Sequence, residues 1–449
     1  MNADTQALAI QIPYAHGKLT LSLQRAQLAG VFRSAIEQER PACSGEDLLA
    51  AALAKPIASP PLAELARGKR TALIIASDHT RPVPSKVIIP PMLRELRRGN
   101  PAIEISILIA TGFHRASTAE ELNNKFGENI VRQEKIIVHD CRDQDALAFA
   151  GILPSGAELW LNKLALETDL LLAEGFIEPH FFAGFSGGRK SVMPGVAGRT
   201  TVLSNHCAAF IDSEFSRTGN LCHNPIHQDM LWAAQKAKLA FIVNVILNGE
   251  KKVVRAFAGD ALAAHQAGCQ EMGKLSLIKV PESEIVITSN GGYPLDQNLY
   301  QAVKGMTAAE AAVSKNGVII IAAACQDGHG GESFHRIMAE GKTPAEILEK
   351  LRRIPAAETI PDQWESQILA RILSKNQVIV VSDQCDHNII RQMHLQAASS
   401  LDEALHLARQ KTSQNAKIAV IPDGVSVIVQ KQGSCDANMR HHRTGGVVP

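Results

Sequence analysis

TALIIASDHTR at 71–81 and EISILIATGFHR at 104–115 decide the architecture of this chain. Each is a near-continuous apolar run rich in Ile that ends in a polar turn. Runs without a polar alternation point to strands covered on both faces, as in a parallel sheet. KIIVHDC at 135–141 and TDLLLAEGFIEPH at 168–180 repeat the pattern. Between these runs, 87–98 (VIIPPMLRELRR) and 116–126 (ASTAEELNNKF) have helical character. The second opens with Ser117 or Thr118 as a cap and carries Glu120 and Glu121 in its first turn. The alternation is βαβ.

Working outward, strand-like runs recur at 240–250, 283–294, 316–328, 376–384 and 416–424, with helical patterns at 258–272 and 344–351. The fold class is therefore α/β, with two α/β domains and mostly parallel sheets. A boundary near 265–282 gives an N-terminal domain over 1–270 and a C-terminal domain over 280–405. The strand from 416 could return to either, so 412–449 could complete the N-terminal domain. The last residues, MRHHRTGGVVP at 439–449, read as a tail.

A chain of 449 residues is long enough for more than one domain at ~150 residues each. Lys and Arg number 46 against 45 Asp and Glu, so no basic field exists to hold nucleic acid. Apolar residues at 45% and charged residues at 20% describe an ordinary globular protein. The eight cysteines include no C-x-x-C pair and read as mostly buried thiols of a reducing compartment. No run approaches the ~18 apolar residues of a membrane span, and MNADTQALAIQIPYAHGK does not resemble a leader, so a cytoplasmic location is expected.

Open α/β sheets bind ligands outside the carboxyl ends of their strands. That directs attention to Asp78, His79, Thr80 and Arg81; to Thr111, Gly112, His114 and Arg115; to Glu174, Glu178 and His180; and to 290–293. The stretch EGFIEPHFFAGFSGGRKSVMPGVAGRTTVLSNH at 174–206 holds six glycines, two histidines, a lysine and two arginines. Within it, Ser186-Gly187-Gly188-Arg189-Lys190-Ser191 could cradle an anion with backbone N–H groups and a cation. The plainer alternative is a glycine-rich surface turn with a solvated Arg-Lys pair. A P-loop is a third: GFSGGRKS at 184–191 follows its spacing but places Arg189 where the motif needs glycine.

His114 and His180 each follow a strand and could act as acid and base on opposite faces of a substrate. Either one alone could equally cap its strand. His206 is followed by Cys207, Cys222, His223 and His227, too loosely spaced for a structural zinc site; a single histidine bound to a metal held mostly by an organic cofactor would leave so sparse a trace. Tyr300 and Lys304 share a helix face beside Gln301, and could meet a carboxylate. Arg81 offers a planar fork for the same purpose.

Taken together, DHTRP (78–82), TGFHR (111–115), EPHFFAGFSGGRKSVMPG (178–195), SNH (204–206) and YQAVKG (300–305) closely resemble the nickel-dependent lactate racemase family, in order over most of the chain. The resemblance implies two α/β domains flanking a central active-site cleft. It implies nickel held in pyridinium-3,5-bisthiocarboxylic acid mononucleotide, the nickel-pincer nucleotide, with Lys190 able to bond it covalently and His206 as the protein ligand to the metal. Asp78, Ser186, Gly187, Gly188 and Arg189 fall to cofactor binding, His114 and His180 to acid/base catalysis, and Arg81, Tyr300, Gln301 and Lys304 to the substrate. The implied activity is racemisation or epimerisation of a small-molecule 2-hydroxy acid by hydride transfer through a 2-keto acid, with cofactor-maturation enzymes as partners. Two other readings compete: a nucleotide-dependent phosphotransferase using the 184–191 loop, and a non-catalytic cofactor carrier.

Overall fold

The computed structural model describes residues 7–433, in two compact units. The predicted tail at 439–449 and Cys435 lie outside the described residues.

One unit comprises residues 36–206 and 213–275. Its six-stranded sheet contains β1 (Thr71–Ser77), β2 (Glu104–Ala110), β3 (Lys135–Val138), β4 (Leu170–Phe176), β5 (Leu239–Leu247) and β6 (Val253–Gly259). The spatial order is β6-β5-β4-β1-β2-β3, parallel except for the β5–β6 pair. Every residue of β4 is buried, as its unbroken LLLAEGF run requires. Helix α1 (Ser85–Gly99) covers the sheet with Ile88, Ile89, Met92, Leu93 and Leu96. Pro90 and Pro91 inside that helix withdraw two N–H donors, a loss offset by burying these side chains at about 1.5–3 kcal/mol each. Helix α2 (Ala119–Phe126) begins in a capping box: Thr118 Oγ1 accepts from the Glu121 amide, and the Glu121 carboxylate accepts from the Thr118 amide.

The other unit comprises the described residues up to 35, 207–212, and those from 276 onward. Its sheet contains β7 (Ser283–Ser289), β8 (Val313–Ala322), β9 (Gln377–Val381), β10 (Gln396–Ala398) and β11 (Ile418–Ile421), with Leu28–Val31 as a further edge strand. All pairs are parallel, in the order β10-β9-β8-β7-β11 and then Leu28–Val31.

Two sequence expectations about domains are corrected here. Residues 7–35 do not join the N-terminal domain predicted over 1–270. The hairpin of Ala7–Tyr14 and Gly17–Gln24 buries Ile10, Ile12, Leu21 and Leu23 in the core of β7, β8 and β9. β11 likewise pairs with β7, so the described part of the 412–449 segment does not complete the first sheet, and its residues from 434 lie outside the described residues. In both cases the partner strands are distant in sequence, and apolar alternation says which face is buried but not against what.

The seven described cysteines are free thiols: five are buried, Cys222 is half-buried and Cys43 is exposed. No helix among the described residues is long and apolar enough to cross a membrane.

Candidate active site

The chain leaves β1 towards β2 and β3, then returns to the opposite flank of β1 with β4. The strand order therefore reverses between β1 and β4, and the carboxyl ends of these strands form the switch point at which open α/β sheets bind ligands. Asp78 follows β1, His114 lies just beyond β2, and the glycine-rich stretch leaves β4.

His114 Nδ1 lies 2.6 Å from Asp78 Oδ2. The Thr80 hydroxyl and amide donate to the other oxygen of Asp78, at 2.7 and 3.2 Å. Burial works to raise the Asp78 pKa, but the His114 hydrogen bond and charge, Thr80 and Arg81 together hold it at about 2. An ionised carboxylate at this position fixes the proton of neutral His114 on Nδ1 and leaves the lone pair on Nε2, the tautomer of a base. Asp78 is 1% exposed, whereas the His114 side chain is 41% exposed. The orienting group is sheltered and the imidazole it orients is reachable.

His180 is arranged in the opposite sense. The Ala183 amide donates to its Nδ1 at 3.3 Å, which in the neutral ring puts the proton on Nε2. The ring stacks on Phe181 and meets Phe182 edge-on, and Phe182 in turn meets His206 edge-on.

His206 terminates helix α3 (Arg199–Asn205), with Nδ1 2.9 Å from the Val202 carbonyl. Burial and then the Lys190 charge hold its pKa at about 3, against the opposing effect of that carbonyl. A neutral imidazole with Nδ1–H on a backbone carbonyl carries its lone pair on Nε2, the arrangement of a metal-ligating histidine. Among the described residues no three His, Cys, Asp or Glu side chains gather to hold an ion. His223 and His227 therefore form no such cluster with His206.

The glycine-rich loop departs from the anion-cradle expectation for Ser186, Gly187, Gly188 and Arg189. The Ser186 amide donates to the Glu178 carbonyl, the Gly188 amide to Asn244 Oδ1 and the Lys190 amide to the Gly187 carbonyl. The Ser186 hydroxyl joins the Phe176 carbonyl and the Glu178 amide. The Arg189 guanidinium is 2% exposed and is spent inward on the carbonyls of Ala183, Phe185 and Gly187, His227 Nδ1 and the His265 ring. Burial lowers its pKa to about 10. Gly187 and Gly188 have φ of +76° and +53°, and a Cβ on Gly188 would lie 2.6 Å from the His265 ring. The Arg189 side chain, the Ser186 hydroxyl and the Ser186, Gly188 and Lys190 amides are thus engaged within the fold. A P-loop is also excluded, because the loop runs into a 3₁₀ turn (Gly188–Ser191) and not an α-helix.

Arg81 is exposed, with Nη1 donating to Thr80 Oγ1 at 3.0 Å. In the other unit, Asn298 caps helix α4 (Leu299–Glu310), which carries Tyr300, Gln301 and Lys304 in its first two turns. The Tyr300 hydroxyl accepts from Trp364 Nε1 at 2.9 Å. Trp364 lies on helix α5 (Gln363–Leu373), beside Glu365. Burial pushes the Glu365 carboxyl up to about 8, opposed by the Lys304 charge. Sequence reasoning singled out Thr80 after β1 but missed Phe182, Trp364 and Glu365 as neighbours of the candidate site residues. Trp364 and Glu365 lie in QWESQIL at 363–369, where Gln363, Glu365, Ser366 and Gln367 are buried despite being polar, so local polarity did not mark the segment.

The lactate racemase N-terminal domain matches residues 14–219 and the lactate racemase C-terminal domain matches residues 278–429. Lactate racemases of Thermoanaerobacterium thermosaccharolyticum and Lactiplantibacillus plantarum are each 50% identical over 423 residues, covering 94% of this chain and 99% and 100% of theirs. The lactate racemase apoprotein structure from T. thermosaccharolyticum superposes with a TM-score of 0.92 at 50% identity, over 94% of this chain and all of that one. A Thermotoga maritima protein of 20% identity shares the fold, with a TM-score of 0.63 over 88% of this chain and all of its own. With matches to both domains and half of all aligned residues identical, this chain belongs to the lactate racemase family of isomerases.

Proposed function

We propose that this chain racemises a lactate-like 2-hydroxy acid, and the His114–Asp78 pair at the β1/β4 switch point is the observation that carries the proposal. His114 Nε2 accepts the hydroxyl proton of one enantiomer, while buried Asp78 stabilises the imidazolium that forms. His180 serves the other enantiomer. It presents Nε2–H to the substrate oxygen and must exchange tautomers to accept a proton, for which the long 3.3 Å Ala183 contact is a weak impediment. Arg81 pairs with the substrate carboxylate through its exposed fork, and Tyr300, Gln301 and Lys304 orient the carboxylate and hydroxyl.

His206 and Lys190 hold the nickel-pincer nucleotide, His206 through a neutral Nε2 and Lys190 through its amine, with 186–189 as the frame that aims Lys190. When bound, this group supplies the acceptor and donor of the α-hydrogen as hydride, so that the substrate passes through a planar 2-keto acid and loses its configuration. Maturation enzymes supply the cofactor in a reducing cytoplasm. A nucleotide-dependent phosphotransferase is disfavoured because the loop amides of Ser186, Gly188 and Lys190 are satisfied internally. A cofactor carrier would have no use for the His114–Asp78 pair.

The test is nickel content per chain by elemental analysis of protein matured with cofactor-synthesis enzymes, beside His206→Ala, followed by a chiral turnover assay of 2-hydroxy acids. About one nickel per chain in the parent, little in the variant and turnover by the parent are expected. Parent protein without nickel or turnover defeats the proposal.

A further inference from the structure

The loop that carries Asp78, Thr80 and Arg81 leaves β1 at Ser77 and enters α1 at Ser85. Both of its ends are tied to one oxygen. Glu174 in β4 is 1% exposed, and its Oε1 accepts from the Ser77 amide at 3.0 Å, the Ser77 hydroxyl at 3.1 Å and the Ser85 hydroxyl at 3.1 Å. The middle of the loop is tied to a cation: Lys125 of α2 donates from Nζ to the Arg81 carbonyl at 3.1 Å and the Val83 carbonyl at 3.4 Å. Burial raises the Glu174 carboxyl pKa, and the Lys125 charge opposes that rise. Glu174 Oε2 has no hydrogen-bond partner among the described residues.

An apolar side chain at 174 would cover the sheet without the desolvation cost of a buried carboxyl. What the carboxyl adds is position. Residues 78–84 form neither helix nor strand, so their backbone groups need partners from elsewhere. Lys125 supplies two of them at the centre of the loop, the Arg81 and Val83 carbonyls, while Glu174, from a different element, ties the flanking Ser77 and Ser85 at its two ends.

We propose that Glu174 and Lys125 are positioning residues that set, through this one loop, both the Asp78 carboxylate that orients His114 and the Arg81 fork that receives the substrate carboxylate. The proposal rests on the acid/base reading of His114. Neither residue touches substrate. Because Asp78 and Arg81 share the loop, loosening it disturbs proton transfer and carboxylate binding together.

Lys125→Met tests this at a half-buried site where packing is retained while the two carbonyl contacts and the Lys125 charge near Glu174 and Asp78 are lost, with Glu174→Gln as a second variant that keeps an acceptor at Oε1. His114→Ala is the control for the underlying reading. The readouts are kcat and KM of the matured enzyme and, in the cofactor-free protein, the downfield proton resonance of the His114 Nδ1–H held against Asp78. In Lys125→Met, kcat is expected to fall about 10–100-fold with a rise in KM, and the resonance to shift upfield or broaden. Glu174→Gln is expected to change the same quantities in the same direction by less. Unchanged kcat, KM and resonance in Lys125→Met, with His114→Ala inactive, overturn the proposal alone. Near-parental turnover by His114→Ala overturns the acid/base reading and the proposal with it.

Discussion

Two loops leave the same sheet, at 78–84 after β1 and at 184–191 after the β4 segment, and each carries an arginine beside hydroxyls that the sequence marks for anion binding. Their arginines face opposite ways. Arg81 is exposed and makes one side-chain contact, to Thr80, whereas Arg189 is 2% exposed and is spent on three carbonyls and two imidazoles. The difference lies in the backbone. Gly187 and Gly188 take positive φ and fold the second loop back over itself. The first loop has prolines at 82 and 84 and no glycine, so it stays open and needs Glu174 and Lys125 to hold it. One loop leaves its arginine exposed; the other buries its arginine among its own carbonyls.

The sharpest way to break this comparison is Arg189→Met. If Arg189 is a frame element, its loss strands buried acceptors and destabilises the fold by about 3 kcal/mol or more, read as a shift in denaturant midpoint at constant slope. An unchanged midpoint with weakened cofactor binding would return Arg189 to a ligand role.

A smaller effect concerns Asp78. Its folded pKa of about 2 lies below the ordinary value of 3.8, so its contribution to stability is fully present above pH ~4 and is lost as pH falls through about 2. The contribution is about 2 kcal/mol. Asp78→Asn should flatten the acid limb of a stability–pH profile by that amount and also lower turnover. A profile identical to the parent would mean that Asp78 is not held ionised by His114.

The smallest effect separates fork from charge on the open loop. Arg81→Lys keeps the charge and loses bidentate geometry, and should raise KM about tenfold with kcat little changed. Equal KM in the two proteins would make Arg81 a point charge only.

Legibility in the sequence followed the range of the interaction. Strand runs, the capping box of α2 and the helix carrying Tyr300, Gln301 and Lys304 were all readable, because each depends on spacing within a few residues. The switch-point residues were readable too, since any polar residue after a parallel strand lies at the sheet's ligand-binding end. The hydrogen bond from His114 to Asp78 was not, because it joins residues 36 positions apart through the adjacency of β1 and β2. The inward turn of Arg189 escaped for the same reason: its acceptors His227 and His265 lie 38 and 76 positions away.

The sequence by itself determined the α/β class, the motifs that identify the family and the residue types at the strand ends, since apolar runs and spaced polar residues encode burial and local geometry directly. Only the tertiary structure decided which chain segments share a sheet, that residues 7–35 pack with the second one, and that Asp78 meets His114 while Ser186 and Arg189 bond inward. Those outcomes depend on which distant donor meets which acceptor, and hydrogen-bond partners are fixed by strand adjacency and backbone direction, which no local pattern carries.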